Sequence, residues 1–123
     1  MAKILFVEDD DFVREAISQM IEEWGYQVVV ASDVEEALRV LAATKDVDAL
    51  ITDIMLGAST LGGYELSHRA TEQFPSLRVI YTSGTPPNQN HADRSVPGST
   101  FIQKPYREAN LRSAVDALFT VSA

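Results

Sequence analysis

The chain has 123 residues, 46% of them hydrophobic, which is the size of one compact domain. Its 18 acidic and 10 basic residues give a formal charge of −8, which opposes binding to nucleic acid or to an anionic membrane, because such binding needs clustered Lys and Arg. The sequence contains no cysteine, no signal-peptide pattern and no apolar run near the roughly 20 residues that cross a bilayer, so we expect a cytoplasmic protein without disulfides or thiol chemistry.

Apolar runs of strand length alternate with stretches of helical period along the whole chain. This alternation favours βα units and a parallel sheet, and therefore a single α/β domain. The five runs are Ile4 to Val7, Val28 to Ala31, Ala49 to Ile51, Val79 to Tyr81 and Phe101 to Ile102.

The stretch after the first run predicts the most regular helix. Gly25 ends it, and either Asp10 or Asp11 is expected to cap its start. The apolar stripe that we expect in the core consists of Phe12, Val13, Ala16, Ile17, Met20, Ile21 and Trp24.

Three further helices are expected along the chain. Ser32 and Glu35 have the spacing of a capping box and open the first of these, which ends near Thr44. Gly62-Gly63 is interpreted as a turn signal before the next helix. The remaining two are predicted at about Tyr64 to Phe74, before Pro75, and at about Glu108 to Phe119.

The fourth crossover, residues 84–100, has a weak helical pattern. Proline and glycine interrupt it, and only Ala92 and Val96 could face a core. We expect a short, poorly anchored helix or an irregular loop. His68 and His91 have no metal-ligand spacing and are expected at the surface.

Charged residues follow three of the strand-like runs: Glu8 and Asp9, then Asp53, then Lys104. The carboxyl ends of parallel strands meet at one edge of a sheet, where ligands bind. Carboxylates crowded at such an edge repel one another unless a hard cation or an ammonium lies among them. The pattern therefore predicts a divalent metal site beside Lys104, of the kind that handles phosphate.

These residues stand in an order that resembles the receiver domain of bacterial two-component response regulators, including the chemotaxis type. The motifs are the acidic pair, Asp53, then Ser83-Gly84, then Lys104-Pro105. The resemblance covers the whole chain and implies one receiver domain over residues 1–123. It also implies a flavodoxin-like, doubly wound, five-stranded parallel sheet of order 2-1-3-4-5, here with a weak or irregular fourth helix.

By this resemblance, Asp53 is the phosphoacceptor, which attacks the phosphohistidine of a partner. Mg²⁺ or Mn²⁺ would be held by Asp9, Asp53 and the backbone carbonyl of Met55, with Glu8 bound through water. The partners implied are a sensor histidine kinase or phosphotransfer protein and a downstream effector. Whether the chain forms a homodimer, and whether its self-phosphorylation makes it an enzyme, stay open.

The resemblance also supplies catalytic and switch residues at the ends of the last two strands. Lys104 would pair with Asp53 before transfer and with a phosphoryl oxygen afterwards, and Ser83 would donate to another oxygen. In the switch, Ser83 moves toward the phosphoryl group while Phe101 turns from exposed to buried. A cis peptide bond is expected between Lys104 and Pro105.

Several departures from the family pattern keep other functions open. Leu56-Gly57 replaces the usual Met-Pro, the segment 58–63 looks roughly two residues longer, Glu8 replaces an aspartate, and Phe101 replaces a tyrosine. A second hypothesis is therefore a pseudo-receiver that recognises partners without phosphorylation. A phosphatase of the haloacid dehalogenase type is disfavoured, because it needs a second acid where Met55 stands.

Overall fold

The computed structural model describes residues 2–119, which form a parallel sheet with helices on both faces. Its strand order is β2-β1-β3-β4-β5, so the predicted flavodoxin-like topology is confirmed. None of the described helices is long and apolar enough to cross a membrane. The strands are β1 (Lys3–Val7), β2 (Gln27–Ala31), β3 (Ala49–Asp53), β4 (Arg78–Ser83) and β5 (Thr100–Gln103). The helices are α1 (Asp11–Glu23), α2 (Val34–Ala43), α3 (Gly62–Gln73), α4 (Gln89–Arg94) and α5 (Glu108–Leu118).

The sheet has one apolar cluster on each face, because successive side chains of a strand point to opposite sides. Leu5, Leu50 and Tyr81 pack on the face that α2 and α3 cover. Phe6 and Ile51 pack on the other face, with Ile21 of α1 and Leu111 of α5. Since the central strands are buried on both sides, they read in the sequence as continuous apolar runs.

The prediction that one stripe of α1 faces the core is wrong at Phe12 and at Ala16. Phe12 is 88% exposed, and Ala16 is exposed as well. At about 100° per residue, Phe12 lies roughly 140° around the helix from Ile17, which packs on the core. The packed stripe therefore contains Ile17, Ile21 and Trp24, and Phe12 projects into solvent beside the carboxyl edge of the sheet.

Helix starts differ from the prediction at two places. Asp10 caps α1 as expected, by accepting from the N–H of Val13 at 3.0 Å. The cap of α2 is Asp33, which accepts from the N–H of Glu36 at 2.7 Å, so the predicted box is displaced by one residue. The Glu36 carboxylate in turn accepts from the N–H of Ser32. Gly62-Gly63 is the start of α3 and not a turn before it, so that expectation is wrong.

Helix α4 is short, as predicted, with six residues and no fully buried side chain. Ala92 is exposed, whereas Val96, just after the helix, is buried. The helix is held by side chains that the sequence analysis placed at the surface. His91 lies half-buried among aromatic rings, and Nε2 of His68 is 2.5 Å from the carbonyl oxygen of Arg94.

The first turn of α3 packs directly on the end of β3. A Cβ atom on Gly63 would lie 2.2 Å from the backbone oxygen of Asp53 and 2.7 Å from Cα of Ile54. The N–H of Gly63 also donates to the carbonyl of Ile54 at 2.8 Å. Only glycine allows this approach of helix to strand, so Gly63 sets the position of the backbone at Asp53.

Replacing Gly63 with Ala should therefore destabilise the protein, because backbone and not a flexible side chain blocks the added methyl group. We expect a loss of about 2 kcal/mol or more in the free energy of unfolding, measured by urea denaturation. Gly84→Ala is the control, since a Cβ there meets nothing within 4 Å. Equal stabilities of the two variants would contradict this account.

Candidate functional site

Four polar side chains gather at the carboxyl edge of the sheet because of strand alternation. Asp53 follows Ile51 by two positions on β3, and Thr82 follows Ile80 by two on β4. Glu8, just after β1, and Lys104, just after β5, continue the same alternation. All four therefore share the face on which α1 and α5 pack, and they lie where the core ends and solvent begins.

The ammonium of Lys104 lies between two buried carboxylates. Its Nζ is 2.8 Å from Oδ1 and 3.0 Å from Oδ2 of Asp53, and 3.1 Å from Oε1 of Glu8. The Asp53 side chain is 10% exposed and that of Glu8 is 4% exposed. Removing either carboxylate from water is unfavourable, and the ion pairs with Lys104 offset that cost in part.

Glu8, Asp9 and Asp53 form an acidic cluster, with one oxygen of each within 4.8 Å of the others. Asp9 is exposed, so the cluster opens to solvent on that side. Three carboxylates face one ammonium, which leaves a deficit of positive charge. An oxygen-only set of donors with that deficit suits a hard divalent cation.

The acids of the cluster differ in how their pKa values shift. Burial, followed by the contacts with Asp53 and Asp9, raises the pKa of Glu8 from 4.5 to about 7. The contact with Glu8, aided by the N–H of Gly57, lowers the pKa of Asp9. Burial alone would lower the pKa of Lys104, but its contacts with Asp53 and Glu8 together outweigh burial and raise it. The site therefore favours the protonated form of Glu8 and the ionised form of Asp9.

The segment after Asp53 contains one backbone carbonyl that accepts no backbone hydrogen bond within the described residues. The carbonyl of Ile54 accepts from Gly63, and that of Leu56 accepts from Ser59. Within residues 2–119, no backbone N–H donates to the carbonyl of Met55, the residue between them. The role of the Met55 carbonyl as a metal ligand stays a prediction.

Gly57 takes part in the site although the sequence analysis assigned it no role. It has a positive φ of 60°, and its N–H donates to Oδ2 of Asp9 at 3.0 Å. A proline, which the family usually has here, carries no N–H and could not make this bond. A glycine at position 57 is visible in the sequence and indicates unusual backbone conformation. Its hydrogen-bond partner, Asp9, lies 48 positions away and could not be identified from the sequence.

Thr82, and not Ser83, contacts the central carboxylate. The hydroxyl of Thr82 donates to Oδ1 of Asp53, and Thr82 is 2% exposed. Ser83 belongs to the opposite face, and its Oγ accepts from the N–H of Thr85 at 3.1 Å. The phosphate-binding role of Ser83 stays a prediction, and Thr82 is a residue that the sequence analysis missed.

Phe101 lies in an aromatic cluster on the other face of the sheet, made of Tyr64, Tyr81, His91 and Phe101. Its ring is edge-on to His91, with 4.7 Å between centroids. Nδ1 of His91 is 2.7 Å from the hydroxyl of Tyr64, and burial lowers the pKa of His91. The expectation of a surface histidine is therefore wrong, and His91 links α4 to the predicted switch residue. The peptide bond between Lys104 and Pro105 is cis, as expected.

Comparison with protein families and curated proteins gives a consistent result. The family model described as response regulator receiver domain matches residues 4–116. The putative response regulator NtrX-like of Rickettsia bellii is 28% identical over 109 residues, which cover 88% of this chain and 23% of that protein. The response regulator receiver protein CpdR of Brucella abortus is 27% identical over 119 residues, which cover 96% of this chain and 97% of that protein. The chain thus spans about a quarter of one relative and nearly all of the other.

Solved structures show the same fold. The chemotaxis protein CheY4 of Vibrio cholerae superposes with a TM-score of 0.85, over 96% of this chain and 98% of that chain. Its sequence is 22% identical, so this likeness concerns the arrangement of strands and helices alone.

Replacing Glu8 with Gln should remove a pH dependence of stability in metal-free protein. Because folding raises the pKa of Glu8, the folded state binds more protons than the unfolded chain between about pH 4.5 and 7. Its contribution to the free energy of unfolding is complete below that window and is lost as the pH rises through it. Relative to Glu8→Gln, the wild type should lose on the order of 2 kcal/mol between about pH 5 and 8.

The measurement is urea denaturation in EDTA at several pH values. Glu72→Gln, which removes an exposed acid outside the cluster, should follow the wild type. A pH dependence of Glu8→Gln identical to that of the wild type would contradict the raised pKa of Glu8.

Proposed function

The chain belongs to the response regulator receiver family, and we propose that Asp53 accepts a phosphoryl group from a phosphohistidine of a sensor histidine kinase or phosphotransfer protein. One observation carries the proposal: the buried Asp53 carboxylate lies within 3.0 Å of an ammonium and beside two further carboxylates, at an edge open to solvent. This arrangement supports the proposal, because phosphoryl transfer to a carboxylate needs a carboxylate nucleophile, a fixed positive charge and oxygens that suit a cation.

In the transfer, an oxygen of Asp53 forms a bond to phosphorus as the bond from phosphorus to the partner's imidazole nitrogen breaks. The bonding pair leaves with the imidazole, which takes up a proton. Lys104 is placed to follow the negative charge from the carboxylate to a phosphoryl oxygen. Its contribution is positioning and neutralisation of charge, since the transition state offers little covalent chemistry for a protein to perform.

Receiver domains bind Mg²⁺ at an acidic pocket, and the oxygens of Glu8, Asp9 and Asp53 fit such an ion. We propose that Asp9, Asp53 and the carbonyl of Met55 would hold Mg²⁺ or Mn²⁺, with Glu8 acting through water. The ion, when bound, neutralises charge on the phosphoryl oxygens. The excess of three carboxylates over one ammonium supports this, because such a site lacks positive charge.

Receiver domains act by interacting with histidine kinases and effectors, and the switch in this chain is proposed to involve Ser83 and Phe101. Ser83 would exchange the N–H of Thr85 for a phosphoryl oxygen. Phe101 would turn inward and displace the ring of His91, which lies against it. This movement would shift α4 and change the surface that an effector contacts. The cytoplasmic location and the absence of nucleic-acid binding stay predictions, and whether the chain forms a homodimer stays open.

Incubation of the protein with acetyl phosphate and Mg²⁺ should add one phosphoryl group, which intact-mass spectrometry detects. Asp53→Asn should abolish the addition, and Lys104→Met should slow it by at least about 100-fold, because charge neutralisation is lost. Asp11→Asn, which removes an exposed acid near the cluster but outside it, is the matched control and should react like the wild type. No uptake by the wild type would favour the pseudo-receiver instead.

Ser83→Ala should separate phosphorylation from the switch. We expect the variant to take up the phosphoryl group while the amide NMR signals of Phe101 and His91 shift less on phosphorylation than in the wild type, because the hydroxyl that couples them is gone. Ser76→Ala, which changes an exposed serine in the turn before β4, is the control. Signal shifts in Ser83→Ala that match those of the wild type would refute the proposed coupling.

A further inference from the structure

The contact between Thr82 and Asp53 is imposed by the backbone of the sheet. Asp53 and Thr82 are direct partners in the register of β3 and β4, and both side chains point to the same face. Thr82 is a β-branched residue with 2% exposure in a strand, so its side chain has little rotational freedom. Its hydroxyl donates to Oδ1 of Asp53.

We propose that Thr82 is an electrostatic partner of the phosphoacceptor and shortens the lifetime of the phosphorylated protein. The inference rests on the proposed function of Asp53 and assigns a second strand-β4 hydroxyl to the reaction, distinct from that of Ser83. The two hydroxyls lie on opposite faces of the sheet. Thr82 donates to the carboxyl group of Asp53, whereas Ser83 is the residue proposed to donate to a phosphoryl oxygen.

The effect of Thr82 on hydrolysis follows from the charge on the Asp53 carboxyl group, which accepts its hydrogen bond. In the phosphorylated state the Asp53 carboxyl group carries no charge of its own, and both its oxygens are weaker acceptors than those of a carboxylate. During hydrolysis, a water oxygen bonds to phosphorus, the bond from phosphorus to Asp53 breaks, and the bonding pair stays on the carboxylate. The protons of the water go to the phosphate and to solvent, and Thr82 keeps its own proton.

The hydrogen bond from Thr82 therefore strengthens as negative charge returns to Asp53. A hydrogen bond to a charged acceptor stabilises more than one to a neutral acceptor, so Thr82 favours the transition state of hydrolysis over the acyl phosphate. Lys104 does not replace this contribution, because in the phosphorylated state its ammonium is shared with a phosphoryl oxygen. Removal of the hydroxyl should slow hydrolysis.

The experiment is to phosphorylate Thr82→Val with acetyl phosphate and Mg²⁺, remove the donor and follow loss of the phosphoryl group by intact mass. Valine keeps the shape of threonine, and Lys104 still pairs with Asp53, so the fold should persist. We expect a half-life about fivefold longer than in the wild type. Thr82→Ser restores a hydroxyl and should return the half-life to within about twofold of the wild type.

Thr52→Val is the matched control, because Thr52 is a fully buried strand threonine whose hydroxyl donates to the backbone carbonyl of Asp53 and not to its carboxyl group. It should lower thermal stability without lengthening the half-life. An unchanged or shorter half-life in Thr82→Val, or equal half-lives in the Val and Ser variants, would overturn the inference. Those results leave the role of Asp53 intact, whereas a wild type that takes up no phosphoryl group would remove both.

Discussion

The structure depends on the burial of two carboxylates, Glu8 and Asp53, around the ammonium of Lys104. Each carboxylate alone would be unstable at the edge of an apolar core, because its hydration is lost without a full replacement. One ammonium faces three carboxylates once Asp9 is counted, so it compensates them only in part. The site is therefore short of positive charge, which a divalent cation or a proton would supply.

The parallel sheet places the charged side chains where this ion pairing requires them. Its parallel strands end at one edge, and their alternation turns Glu8, Asp53, Thr82 and Lys104 to one side and Ser83 and Phe101 to the other. Chemistry at the carboxylates and rearrangement of the aromatic cluster are thereby separated by the thickness of the sheet. They communicate through β4, where Thr82 and Ser83 are consecutive residues with opposite orientations.

The departures from the family pattern have structural counterparts near Asp53. Gly57, with its positive φ, brings a backbone N–H to Asp9, and the reciprocal bonds between Leu56 and Ser59 close the longer segment. Phe101 packs against His91, whose own partner is the Tyr64 hydroxyl. The chain thus makes a backbone contact at Gly57, where the family usually has Pro, and a ring contact at Phe101, where it usually has Tyr.

The sequence by itself determined the fold class, the order of strands and helices, and the acids and lysine of the site, because apolar periodicity and charges at strand ends are local properties of the chain. Only the tertiary structure decided that Phe12 is exposed, that Asp33 caps α2, that His91 is half-buried, and that Thr82 and Gly57 touch the acids. These features depend on rotation about a helix axis, on strand register and on contacts between distant residues. Such properties arise when elements pack; the spacing within α1 separates Phe12 from Ile17 but does not say which of the two faces the sheet.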